Sequence, residues 1–266
     1  MGGVSALAYA RKIAESLTTI LPYTLGTVVL PLSSEMAAAR DSHALATTLT
    51  RAVRAITPLF LLVTVGLMVL HQPFIQLLFE RAAFTAASTQ LTAGPLLFYA
   101  LAPLPFALEV IVVRFHFARQ DTLTPVIADI VAFVLNVALI PPLMAALGLG
   151  GIALAAAISR ALKVLALLML FERRVPAFRT GSLGNFAGQM ILASLAAVAV
   201  LTFLPLNGFR ATGQGLVGLA GLLAVGAAAG SGTFFVVAYL LRVEEVFPPW
   251  CRCKAWCQAR LHLPDR

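Results

Sequence analysis

The chain has 266 residues and a net charge of +8; 60% of it is hydrophobic and only 11% charged, and its mean hydropathy is +0.94. A water-soluble domain cannot hide that much apolar surface, because its own exterior would have to be greasy. The composition therefore excludes soluble enzymes and soluble binding modules. It points to lipid as the solvent, where each spanning segment must satisfy its own backbone amides as a helix.

Hydropathy predicts an all-α integral membrane protein, a polytopic bundle of about seven transmembrane helices. In chain order the spans are expected at Val4 to Leu32, Ile56 to Leu70, Leu91 to Val113, Thr124 to Leu147, Gly151 to Phe171, Phe186 to Leu206 and Leu216 to Leu241. The second is short for a crossing and is expected to start nearer Arg51 or Arg54, whose side chains can snorkel to the interface. Pro22, Pro58, Pro95, Pro103, Pro105, Pro141 and Pro142 fall in or near spans, where each removes a backbone bond and lets a helix bend. Gly148, Gly150 and Gly151 predict a tight turn, and the alanines that follow permit close helix contact. Gly218, Gly221, Gly226, Gly230 and Gly232 give the last span a similar character.

The basic residues set the orientation. Arg40, Arg51, Arg54, Arg114, Arg119, Arg173, Arg174, Arg179, Arg242, Arg252, Lys254, Arg260 and Arg266 fall on one set of ends, and only Arg81 and Arg210 on the other. An odd number of crossings keeps the rich ends together, with the amino terminus outside and the carboxyl terminus in the cytoplasm. The positive charge is thus a topology signal. No basic face with interleaved aromatics suggests a nucleic-acid partner. A first span that starts outside with no signal-peptide pattern leads to the expectation that helices are missing upstream, so that the chain is half of something.

Ionisable residues inside spans are costly and hence functional suspects. Arg11, Lys12 and Glu15 share the first span, at spacings that let Glu15 meet either cation. One reading is a self-neutralised cluster near the outer end of the helix. The other is two cations against one carboxylate, leaving a positive charge for an anionic ligand in an internal cavity. Glu109 late in the third span and Asp129 early in the fourth can partner Arg160 or Lys163 on one face of the fifth, as structural ion pairs or as coupling residues. Asn136 sits mid-span and can offer one oxygen to a cation site, but a second ligand one turn on is lacking, because that position is Ile140. Asp121 and Thr124 look like a helix cap, with Pro125 in the first turn.

Nothing resembles an enzyme site, and no cofactor or metal is expected. There is no nucleotide-binding loop, nucleophile elbow or H-E-x-x-H motif. His43, His71, His116 and His262 are placed in loops or the tail, without metal spacing. Cys251, Cys253 and Cys257 sit in a tail expected to be reduced. With Trp250 and Trp256 among its basic residues, that tail is expected to lie on the anionic inner leaflet.

Several strings, in order, carry a family resemblance. Tyr9-Ala10-Arg11-Lys12-Ile13 with Leu30-Pro31 looks like a Tyr-Ala-x-Arg-Leu helix and its Leu-Pro ending. Phe79-Glu80-Arg81-Ala82-Ala83-Phe84-Thr85 is similar to a Phe-Glu-Arg-Gly-x-Phe-Thr loop, which makes Glu80, Arg81, Phe84 and Thr85 a candidate loop motif. Ala118 to Pro125 and Gly148 to Ala155 look like the starts of two later helices. From about Val4 to Arg174 the chain resembles the carboxyl-terminal half of the MviN/MurJ lipid II flippases, members of the multidrug/oligosaccharidyl-lipid/polysaccharide exporter superfamily.

The resemblance implies half of a two-lobe transporter in the bacterial cytoplasmic membrane. Residues 1–174 would supply five helices of the carboxyl-terminal lobe, 175–242 two additional helices, and 243–266 a basic cytoplasmic tail. Its implied partners are membrane lipids, a polyprenyl-pyrophosphate-linked glycan (lipid II) and an amino-terminal lobe supplied in cis or in trans. The alternatives are a half-transporter, an inactive remnant, or a flippase for another polyprenyl-linked glycan. Lys12 stands where the family has its cavity Arg, keeping the charge and losing the planar fork. Ala82 replaces a loop Gly, and His116-Phe117 stands where Phe-Tyr is usual.

Overall fold

The computed structural model describes residues 3–79, 86–203 and 216–241, and all secondary structure among them is helical. The helices are α1 (Gly3–Ala38), α2 (Ser42–Phe79), α3 (Ala86–Tyr99), α4 (Pro103–Ala118), α5 (Leu123–Leu147), α6 (Leu149–Arg174), α7 (Gly181–Phe203) and α8 (Leu216–Leu240). Five segments are individually long and apolar enough to cross a membrane, in α2, α5, α6, α7 and α8, and a sixth is counted if α3 and α4 form one bent span. With its 36 residues, α1 is about 54 Å long at ~1.5 Å per residue, beyond the ~30 Å of a hydrocarbon core.

Two expected spans are corrected. The third is not continuous: α3 and α4 meet at a 42° bend between Tyr99 and Pro103. Pro103 opens α4, at a position where its missing N–H costs nothing, whereas inside a single helix it would leave a carbonyl unpaired. The second span extends well past both expected ends as the 38-residue α2, with a non-helical residue, Leu70, before Pro73.

The middle of the bundle is built on α2. Its first half packs with α4 and α6 through Leu49, Ile56, Phe60, Phe115, Leu167 and Phe171. Further along, Leu67 and Ile75 pack with Ala10, Ala14, Leu96 and Ala153 of α1, α3 and α6. Val65 meets Met190 of α7 and Phe234 of α8. Lipid removes the hydrophobic drive between helices, so close van der Waals contact matters most, and small residues supply it. At Gly151 an added Cβ would fall 2.2 Å from the Leu143 carbonyl oxygen, so only glycine lets α5 and α6 approach as they do. The turn joining them is Gly148, at φ +60°.

Two other turns use one design. Among the described residues, Arg40 and Gln120 are the non-glycine residues with positive φ, each followed by an aspartate. Asp41 accepts from the Ala44 amide at 2.8 Å and opens α2. Asp121 accepts from the Thr124 amide at 3.2 Å and from its hydroxyl at 2.9 Å, and opens α5. Asp121 also meets Arg174 at 2.6 Å and His116 at 3.1 Å. Burial alone would raise its pKa, but the Thr124 and His116 hydrogen bonds, with the Arg174 charge, outweigh it and hold the carboxyl at about 2.

Candidate functional site

The first span's charges do not act as one cluster. On α1, Arg11 Nε donates to Glu15 Oε1 at 2.7 Å, one turn apart. Lys12 is exposed on another side of the helix, and among the described residues no ion pair involves it. It belongs to a face made of Ser5, Tyr9, Lys12, Ser16, Tyr23 and Thr27, all exposed and recurring at steps of three, four and seven residues. Such spacing places six polar side chains on one stripe of a helix.

The Arg11–Glu15 pair instead borders a cavity of about 230 Å³, with Tyr99 at the end of α3, Phe106 on α4, Asn136 on α5 and Arg160 on α6. A second cavity, of about 190 Å³, lies among Glu109, Asp129, Asn136, Arg160 and Lys163. The two share Asn136, Ala156 and Arg160.

Four charges tie α4, α5 and α6 together. Lys163, its side chain 3% exposed, donates to Glu109 Oε1 at 2.7 Å and also to Asp129 Oδ1. Burying one ammonium between two carboxylates avoids the cost of an unpaired charge. Arg160 lies across the second Glu109 oxygen, Nε to Oε2 3.3 Å, without hydrogen-bond geometry, and its guanidinium carbon is 5.1 Å from the Phe106 ring centre. Asn136 Oδ1 is buried and has no hydrogen-bond partner. Among the described residues no group of three or more His, Cys, Asp or Glu could hold a metal. Glu80, Arg81, Phe84 and Thr85, and the tail with its cysteines, lie outside the described residues.

The histidine placement needs correction. His43 and His71 lie within α2, and His116 is in the last turn of α4, 2% exposed. His116 Nδ1 faces Asp121, and Nε2 faces the Leu167 carbonyl of α6 at 3.2 Å. A polar ring can sit there because both nitrogens have partners. Tyr99 and Phe106 were also missed as cavity walls, since an aromatic in an apolar span gives no signal that separates it from lipid-facing or core residues.

A family model described as lipid II flippase MurJ matches residues 1–213. The chain belongs to the MurJ family. MurJ proteins are transporters rather than enzymes, and the chain is accordingly a multi-pass membrane protein. It is 26% identical to the probable lipid II flippase MurJ of Bdellovibrio bacteriovorus, over 92% of this chain and 46% of that protein. With the Rhizobium meliloti MurJ it shares 30% identity, over 90% of this chain and 45% of that protein. A solved structure of the lipid II flippase MurJ in an inward closed conformation superposes with a TM-score of 0.71 at 22% identity, covering 92% of this chain and 48% of that one. The chain thus spans about half the length of the curated MurJ relatives it matches.

Proposed function

We propose that the chain works as the carboxyl-terminal lobe of a two-lobe flippase. In this reading it moves undecaprenyl-pyrophosphate-linked peptidoglycan precursor (lipid II) across the bacterial cytoplasmic membrane. The observation that carries the reading is the exposed polar stripe of α1 with Lys12 at its centre. A stripe of hydroxyls and one uncommitted ammonium is unsuited to lipid tails and suited to a hydrated cavity that receives a pyrophosphate. The opposing wall of that cavity comes from an amino-terminal lobe, in cis or in trans. The carboxyl terminus is cytoplasmic, as the arginine distribution favours. In this reading the Glu109–Lys163–Asp129 tie and Arg160 keep α4, α5 and α6 moving as one body.

The test is rescue of cells depleted of their own lipid II flippase, with the complete two-lobe protein. Lys12→Arg is expected to rescue and Lys12→Ala to fail at equal membrane abundance. Full rescue by Lys12→Ala would remove the cavity assignment. An immunoblot of native membranes separates the two routes to the second lobe: a band near twice 28.1 kDa means in cis, a band at 28.1 kDa in trans.

A further inference from the structure

The cavity behind the α1 stripe has a chemistry of its own. Its polar walls are Arg11 and Glu15 of α1, Asn136 of α5 and Arg160 of α6, and its flat walls are Tyr99 and Phe106. A metal ion entering it would sit between two guanidiniums. A phosphate would sit against the Glu15 carboxylate, whose partner Arg11 is already engaged at 2.7 Å. A neutral group with both donors and acceptors meets neither repulsion. Hydroxyls can donate to Glu15 and accept from arginine, and the apolar face of a sugar ring can lie on an aromatic side chain.

Arg160 is the side chain best prepared for such a ligand. It makes no hydrogen bond among the described residues, having only the 3.3 Å ionic contact with Glu109 and the Phe106 ring beneath it. Its side chain is 38% exposed, so the fork is reachable. A guanidinium presents up to five N–H groups in a plane, a match for two neighbouring hydroxyl oxygens. About 230 Å³ is room for one ring, not for a chain of them.

We propose that this cavity binds a single neutral pyranose ring, held by Arg160 and Glu15 against Phe106. Resting on the flippase reading, the inference makes the ring a headgroup sugar of the lipid-linked substrate, held apart from the pyrophosphate that Lys12 contacts.

The experiment uses the whole chain in lipid nanodiscs, with methyl N-acetyl-β-glucosaminide as probe and saturation-transfer NMR as readout. Saturable binding is expected, weakened at least about tenfold by Arg160→Gln through loss of a charged hydrogen-bonding partner. Phe106→Leu, which leaves every charge in place, is expected to weaken it as well, with circular dichroism confirming that both variants fold. Inorganic pyrophosphate is expected not to compete. Absence of saturable binding overturns the proposal, as does binding unaltered by both variants. Competition by pyrophosphate also overturns it, in favour of an oxyanion site. Failure here while Lys12→Ala still blocks rescue removes only the sugar site; rescue by Lys12→Ala removes the cavity assignment instead.

Discussion

Both α1 and α5 turn one side away from the bundle, and apart from Asp129, whose 62% exposed carboxylate is bonded to Lys163, the two exposed sides are opposite in chemistry. On α5, Leu123, Val126, Ile127, Ile130, Val131, Phe133, Val134 and Val137 are all at least half exposed, with Phe133 at 68%. On α1 the exposed stripe is Ser5, Tyr9, Lys12, Ser16, Tyr23 and Thr27. Two helices of one bundle thus present surfaces suited to two solvents. The apolar side of α5 needs hydrocarbon, because in water it would be a large uncovered patch. The stripe on α1 needs water or a polar partner at Lys12, because an ammonium in hydrocarbon is costly, whereas the Ser16 and Thr27 hydroxyls already donate to the Lys12 and Thr24 carbonyls of their own helix. Exposure alone therefore does not single out a candidate functional face in a membrane protein; exposure with polarity narrows the choice.

The largest expected effect comes from the polar side. Lys12→Ala in the complete protein should lower transport at least about a hundredfold, the scale of losing a charged hydrogen-bonding partner of the pyrophosphate. Lys12→Arg should retain it, as read by rescue of flippase-depleted cells. Next is the tie that joins α5 to the bundle. Lys163→Ala removes the ammonium between Glu109 and Asp129 and should destabilise the protein by ~3–5 kcal/mol, because Asp129 loses its cation and Glu109 keeps only the 3.3 Å contact with Arg160. Thermal unfolding in detergent would measure it, and an unchanged midpoint would mean that the acids find other partners. Third, Val134→Lys should cost ~2.5–3.5 kcal/mol if that side of α5 meets lipid, and should lower the membrane-inserted fraction. Ser16→Lys on α1 should be tolerated. Equal penalties for the two would break the comparison.

Much of this architecture was legible beforehand. Seven spans were expected because apolar runs of that length have no other use. Five helices are long and apolar enough to cross, or six with the bent α3–α4 pair, and α1 is not among them. The second and third spans were misjudged for reasons the structure makes plain. The break between α3 and α4 falls at Ala100, Leu101 and Ala102, as apolar as the helices it separates, so hydropathy runs through it. The amino-terminal extension of α2 carries Thr47, Thr48, Thr50, Arg51 and Arg54, which lowers hydropathy while leaving the helix intact. Lys163 and Glu109 were legible as possible partners because charges in spans must be neutralised. The cavity joining Arg11 to Arg160 was not, because 149 positions of chain separate its walls. Which face of α6 turns to α1 is set by the packing of Gly150 on Phe98 and of Gly151 on α5, not by periodicity.

The smallest expected effect lies at the end of α5. Asp121→Ala should cost about 1–2 kcal/mol through the lost cap. With the folded carboxyl at about 2 against an ordinary 3.8, the stabilisation is present in full above pH 3.8 and is lost as pH falls toward 2. Unfolding midpoints of the two proteins should therefore converge over that interval, and a constant difference through it would assign the effect to packing.

The contrast between the two exposed sides is tested most directly by single-cysteine accessibility in native membranes, after Cys251, Cys253 and Cys257 are replaced by serine. Ser5→Cys, Ser16→Cys and Thr27→Cys should react with a membrane-impermeant methanethiosulfonate, and Ile130→Cys, Val134→Cys and Val137→Cys should not. Protection along the whole α1 stripe, or equal labelling on α5, would contradict a hydrated cavity on one side of this bundle and lipid on the other.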